Sequence, residues 1–338
     1  MLAKSIKKSV FIIVVSGVYI ACGAPTTQTP DAQFSSTVST SETCKFLGDA
    51  YESKVLLPAG GHKGECADTT SARSVIMLPE PSDSNVLRVA NVGHNGSFWI
   101  AEFPKNGVED VIFQMERFPA AVPAAHTQIR LKFKKDSPVR LTNQFDSSRQ
   151  IYLREFALST EAIGQKGWKY DIFKGMKDEY LTAYRITSLA DKYKWMVVTL
   201  KHSVVQWPLN LDEAEKQLVL PAYVKRATEK GMTSTYHTLW RNCTNELFKV
   251  FDSTLRYGGL RALPVVFTKI NEMYPVIVHG ALNSRGLIRY RDLPPVYPPD
   301  RPLDKTTQIP TREEIRLPNF EDEKDLSLDD LGAQPQRQ

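Results

Sequence analysis

Histidine and cysteine are scarce in this 338-residue chain, with six of the first and four of the second. The histidines show no metal-ligand spacing, so the sequence offers no ground for a metal centre, and no motif calls for a cofactor. Positive charge is present but not massed. The 43 Lys and Arg against 38 Asp and Glu leave a formal charge of +5. No basic run interleaves with aromatic residues, which argues against nucleic acid as a partner. No internal repeat is visible. Beyond the first twenty residues, no stretch is apolar and long enough to cross a bilayer. What is there is an apolar content of 42%, ordinary for a globular protein.

The N-terminus has the build of an export signal. Lys4, Lys7 and Lys8 form a positive region, and Val10 to Ile20 is apolar except for Ser16 and Gly17. That run is about half the length of a membrane-spanning helix, as in a signal-peptide core. Ile20-Ala21-Cys22-Gly23 resembles a lipobox, with Tyr19 where leucine is usual. The resemblance implies a signal peptide over 1–21, lipidation of Cys22 and anchoring to a membrane through that lipid. Gly23 rather than aspartate after the cysteine implies the outer membrane. Residues 22–43 are rich in Thr, Ser, Pro and Gln and poor in apolar side chains, the composition of a flexible tether. From about Pro294 the chain is rich in Pro, Asp and Glu, so 291–338 reads as a disordered tail.

Roughly 250 residues then remain for folded structure, enough for one domain with an N-terminal extension. The extension spans 44–86 and the domain 87–290. Export permits disulfides. Cys44 and Cys66 flank a turn with Gly60, Gly61 and Gly64, and we pair them, leaving Cys243 unpaired. The alternative is that Cys243 pairs with one of the two. An odd thiol in an oxidising compartment asks for a chemical role.

Along the domain, Leu87–Val92 and Ser97–Phe103 flank Asn95-Gly96, a hairpin signal. Val108–Glu116 is the next expected strand. In His126–Phe133, Thr127, Ile129, Leu131 and Phe133 share one face, and His126, Gln128, Arg130 and Lys132 share the other. Lys194–His202 is expected to be a strand. Leu211–Lys230 is expected to be a helix capped by Asp212, with Leu218, Val219 and Ala222 in its buried stripe. A helix over Asn245–Tyr257, stopped by Gly258-Gly259, would bury Leu247, Phe248, Phe251 and Leu255. Another helix is expected within Pro264–Leu287.

Two of these places carry chemistry. Cys243 opens an amphipathic helix, whose terminal amides and dipole stabilise a thiolate. His126 opens the polar face of a strand. A thiolate beside an imidazolium is the working unit of papain-like enzymes. Here the histidine precedes the cysteine, the order of the circularly permuted, NlpC-type branch. The structural readings are a small buried cysteine and a strand-end histidine.

His126-Thr127-Gln128-Ile129-Arg130-Leu131 resembles the "GHTxIR" strand of the Lnb N-terminal periplasmic domain. Tyr236 through Asn242-Cys243-Thr244 to Leu247 resembles its "Y…NNCTxxL" motif, and Trp207 to Glu215 resembles its "YxLNLSxxE" segment. Ala125 stands where the family has glycine, and Arg241 where it has asparagine. The resemblance implies an α+β, permuted papain-like fold with an antiparallel sheet packed on helices and the cysteine at a helix N-terminus. It also implies Cys243 as nucleophile and His126 as base, with Tyr236 and Asn242 as supporting residues. His202 and His237 flank the region as candidates for a third polar member.

Some enzymes of the family transfer an acyl chain to the amino terminus of a lipoprotein. They carry a membrane-embedded C-terminal part that this sequence does not show. The resemblance therefore implies a cysteine-dependent acyltransferase or hydrolase acting on phospholipid or lipoprotein. The competing readings are a cell-wall peptidase or amidase with the same residues, and a binding lipoprotein without catalysis. The sequence does not speak to oligomeric state.

Overall fold

The computed structural model describes residues 47–53, 55–80, 85–118, 125–200, 202–255 and 278–288. The export signal, Cys22, the tether, Cys44, Gly258-Gly259 and the acidic tail lie outside the described residues. All described residues belong to the unit Cys44–Gln338. Among them, no helix is long and apolar enough to cross a membrane, which says nothing of β-barrels.

The fold is mixed α+β, a large sheet with few helices. In chain order the strands are β1 (Ile76–Met77), β2 (Val86–His94), β3 (Ser97–Pro104), β4 (Val108–Arg117), β5 (Ala125–Phe133), β6 (Val139–Asn143), β7 (Gln150–Leu153), β8 (Glu155–Ile163), β9 (Tyr180–Ser188), β10 (Ser203–Pro208) and β11 (Thr235–Tyr236). The helices are α1 (Ile172–Met176), α2 (Leu189–Tyr193), α3 (Glu213–Lys230), α4 (Cys243–Thr254) and α5 (Val278–Ser284). The strands join in the order β10-β4-β5-β8-β9-β2-β3-β6-β7, with β1 on β2 and β11 on β9. The pairs are antiparallel except β2 with β9, which meet in parallel at Gly93 and Thr187.

The β2–β3 hairpin turns as its sequence predicts. Asn95 and Gly96 have φ of 48° and 66°, the two positive values a type I′ turn requires. The β5 alternation also holds. Ile129, Leu131 and Phe133 enter the main core, while Gln128 and Arg130 join a buried polar layer. On the apolar side, Phe113 stacks on Phe248 with ring centroids 6.0 Å apart. Leu247, Phe248, Phe251 and Leu255 are all buried there, as the helical spacing predicts. The extension is no separate layer: β1 pairs with β2, and buried Arg73 meets Asp49 at 2.5 Å and Glu52 at 3.2 Å.

Three local expectations need correction. Lys194–Thr199, expected as a strand, is a π-helix continuing from α2. The strand begins at Ser203, opposite Arg117, the last residue of β4. Among the described residues no strand pairs with the earlier ones, and Met196 is buried against Leu189 and Tyr193. In α3, Leu218 is 47% exposed, and the buried stripe runs through Val219, Leu220, Tyr223, Val224 and Ala227. Finally, α4 starts at Cys243 and is capped at Leu255. The Asp212 cap of α3 is present, as a reciprocal capping box with Glu215.

Candidate active site

The site is built where α4 begins. Asn242 caps the helix: its side-chain oxygen accepts from the amides of Thr244 at 3.0 Å and Asn245 at 2.9 Å. Its side-chain amide donates to the Thr238 carbonyl at 2.8 Å. Asn242 thus shapes the turn and starts the helix at Cys243, whose amide has no partner within the helix. The Arg241 guanidinium points to Asp178, at 2.5 Å, so the residue that departs from the family asparagine ties the turn to the segment before β9. Ala125 sits in regular β5 pairing opposite Arg117 and is buried.

The Cys243 thiol is free and buried, with the residue 3% exposed. Thr127 of β5 holds the helix start to the sheet, its hydroxyl 3.0 Å from that of Thr244. His126, one residue earlier, is the charge and hydrogen-bond partner of the thiol. Burial pushes the thiol pKa up, but the charge of His126, its hydrogen bond and those of Thr127 outweigh burial and bring it to about 7. Burial pushes the imidazole the other way. The charges of Glu161 and Cys243 outweigh burial and raise it to about 10. Between about 7 and about 10 the pair is therefore held as thiolate and imidazolium.

Glu161 is the residue that sequence reasoning missed. Its Oε1 lies 3.4 Å from His126 Nε2, a distance at which charge attraction rather than a short hydrogen bond carries the contact. Lys192 of α2 reaches the same oxygen at 2.9 Å, and the Ser159 hydroxyl donates to it at 2.7 Å. Burial opposes the carboxylate, yet Lys192 and His126 keep its pKa well below the ordinary value. Strand register explains the placement. Gln128 of β5 lies opposite Ser159 of β8, so two residues onward Glu161 comes opposite His126. Glu116 flanks His126 on the other side, in β4, but is engaged by His202 Nδ1 at 2.6 Å.

Tyr236 packs beside the helix start. Its hydroxyl is hydrogen-bonded to the Cys243 backbone, and burial followed by the charge of Cys243 holds the phenol well above its ordinary pKa. It stays protonated. His202 and His237 do not become third members. His202 is taken by Glu116, and His237 Nδ1 accepts from the Leu239 amide at 3.1 Å to shape the turn. The structure thus gathers Cys243, His126, Tyr236 and Asn242, and adds Glu161 and Lys192.

No curated protein and no solved structure matches the chain. The family model described as the Lnb N-terminal periplasmic domain matches residues 98–272, just over half of the sequence and including His126, Glu161, Tyr236 and Cys243. The chain belongs to the Lnb N-terminal periplasmic domain family.

Proposed function

We propose that the protein is a periplasm-facing, cysteine-dependent acyl-transfer enzyme acting on lipids or lipoproteins. The carrying observation is the buried thiol at the α4 N-terminus, brought to about 7 by the imidazolium of His126. In this reading the Cys243 thiolate attacks an ester carbonyl. The tetrahedral oxyanion takes hydrogen bonds from the Tyr236 hydroxyl and the Cys243 amide, the amide of the first turn that the Asn242 cap does not take. The ester C–O bond breaks, His126 gives its proton to the departing alkoxide, and an acyl thioester remains on Cys243. An amine or water then attacks the thioester, His126 takes its proton, and the C–S bond breaks to give an amide or a carboxylic acid. Glu161 touches none of the reacting atoms and serves as a positioning residue for His126.

The helix-borne cysteine facing a strand histidine earlier in the chain supports a permuted papain-like arrangement. The lipobox-like Ile20-Ala21-Cys22 supports a lipid anchor that would keep the domain beside such substrates, at the outer membrane. A Cys44–Cys66 disulfide would leave Cys243 as the reactive thiol.

The test is to trap the intermediate. The full chain is incubated with a phospholipid carrying a labelled acyl chain, and Cys243 is examined by mass spectrometry. A hydroxylamine-sensitive acyl adduct on Cys243, absent in Cys243→Ser, is expected. Labelled peptidoglycan fragments instead of lipid on Cys243 would mark a cell-wall amidase. A thiol inert to both substrates and to alkylation would leave only a binding role.

A further inference from the structure

Eleven large apolar side chains are exposed among the described residues, and four of them fall within seven positions: Tyr170, Ile172, Phe173 and Met176. They lie on and just before α1, with Phe173 69% exposed. A fifth, Trp240, is 59% exposed on the turn that precedes α4. Singly exposed apolar residues need no explanation, but a cluster of this kind marks a contact surface. Residues 166–179 hold Lys166, Lys169, Lys174 and Lys177 against three acids: Asp171, whose side chain caps α1, Asp178, which is paired with Arg241, and Glu179. Lys166, Lys169 and Lys177 are exposed, and Lys174 Nζ lies 3.7 Å from the centroid of the Trp168 ring.

This lip is tied to the site. The Tyr170 hydroxyl is 2.8 Å from the Thr238 hydroxyl, the Thr238 amide donates to the Gly175 carbonyl at 3.2 Å, and the Thr238 carbonyl accepts from the Asn242 cap. Tyr170 also lies near enough to feel the charge of Cys243.

We infer that α1 and the adjoining 237–241 turn form a docking lip for an anionic bilayer surface, beside the turn that leads into Cys243. Aromatic and aliphatic side chains ringed by lysines are the composition of an interfacial membrane contact. The apolar groups enter the headgroup boundary while the lysines meet anionic lipid. A second copy of the chain is a poorer occupant, because a two-fold contact through this face would set the four lysines against themselves. The inference deepens the acyl-transfer reading by naming the surface on which the thiol meets its substrate.

The experiment uses the full chain with Cys22→Ala, so that no lipid can be attached at that position. It is mixed with phosphatidylcholine vesicles with or without phosphatidylglycerol and floated on a density gradient. Flotation with the anionic vesicles and little with the neutral ones is expected. Phe173→Ser with Trp240→Ser should lower the bound fraction about tenfold. Lys166→Glu with Lys169→Glu should remove the preference for anionic lipid. These side chains are exposed, so the variants should melt like the parent and keep the parent rate of Cys243 alkylation in solution. Absence of flotation with anionic vesicles, or flotation unchanged in both variants, overturns the inference. So does a dimer in sedimentation velocity that Phe173→Ser dissolves, since the face then belongs to a second copy. If docking holds while Cys243 proves unreactive, the lip stands and the acyl-transfer reading falls.

Discussion

The two faces of β4, β5 and β8 are both covered by helices, yet they are filled with opposite chemistry. Beneath α3 and α4 lie Phe113, Ile129, Leu131, Leu158 and the rings of Phe248 and Phe251. Beneath α2 and the π-helix lie Gln114, Gln128, Arg130, Glu155 and Gln206, linked to one another and to Tyr193 by hydrogen bonds. The first face holds the fold together, since each buried Phe or Leu is worth about 1.5–3 kcal/mol. The second face gives up much of that gain and instead fixes donors, acceptors and charges in place. The site forms at the strand ends, where both faces contribute. The apolar side brings the helix that carries Cys243. The polar side brings His126, Glu161 and Lys192. A sheet apolar on both faces could seat the helix but would leave the imidazolium without its carboxylate.

Removing a ring from the apolar face should produce the largest effect. Phe248 touches Phe113 and Phe251 and lies under the buried Arg285 guanidinium, 4.3 Å from its ring centroid. Phe248→Ala should cost about 3–5 kcal/mol in urea unfolding, through lost burial and the cavity left behind. A loss below about 1 kcal/mol, within the range of surface changes and small repackings, would mean that this face does not carry the stability assigned to it. Because Phe248 lies on the helix that begins at Cys243, the variant should also loosen the thiol's seat and slow its alkylation.

A change on the polar face should act on chemistry instead. Glu161→Gln keeps the shape and can still accept from Ser159 and Lys192, but it removes the negative charge beside His126. The sign follows from the shifts. The imidazole is raised to about 10 and the thiol lowered to about 7, so the reactive pair exists between those values. Without the carboxylate the imidazolium is less favoured. The alkaline limb of turnover should then fall below 10, and the midpoint of the Cys243 alkylation profile should rise from about 7 toward 9.0. Turnover near pH 8 should drop about 10²-fold, on the scale of a general acid–base contribution. An unmoved pH profile would reduce Glu161 to a structural ion pair with Lys192.

Much of the apolar face was legible in the sequence, and the polar face was not. The spacing of Leu247, Phe248, Phe251 and Leu255 and the alternation in His126–Phe133 are local periodicities, and the burial matches them. The Asp212 cap and the Asn95-Gly96 turn are likewise local signals. Cys243 and His126 were found because motif and position coincide in each. Glu161 carries no such mark. It becomes visible only once β8 is registered against β5, and registers between strands far apart in sequence are set by tertiary packing. The π-helix was missed for a related reason. Trp195, Val197 and Val198 favour a strand by propensity, but tertiary packing overrides it, with Met196 buried against Leu189 and Tyr193. Leu218 was misplaced because an apolar residue next to a buried stripe reads as part of it.

The smallest predicted effect lies within the polar layer itself, at Gln128. Its amide nitrogen donates to Gln114 Oε1 at 2.6 Å, while its own Oε1 is buried without a hydrogen-bond partner among the described residues. Gln128→Met keeps the length of the side chain and replaces both polar atoms. One buried acceptor, on Gln114, loses its donor, which costs about 1–3 kcal/mol. One buried unpaired oxygen disappears, which returns an amount of similar size. The two terms oppose, so the net change in urea unfolding should stay within about 1 kcal/mol. Gln128 shares the strand face of His126 without touching Cys243, so the alkylation midpoint should remain near 7. A loss as large as that of Phe248→Ala would show that the polar layer is a structural core in its own right and would dissolve the division of labour between the faces. A moved midpoint with little change in stability would instead show that the charge on His126 is set by the whole layer and not by Glu161 and Lys192 alone.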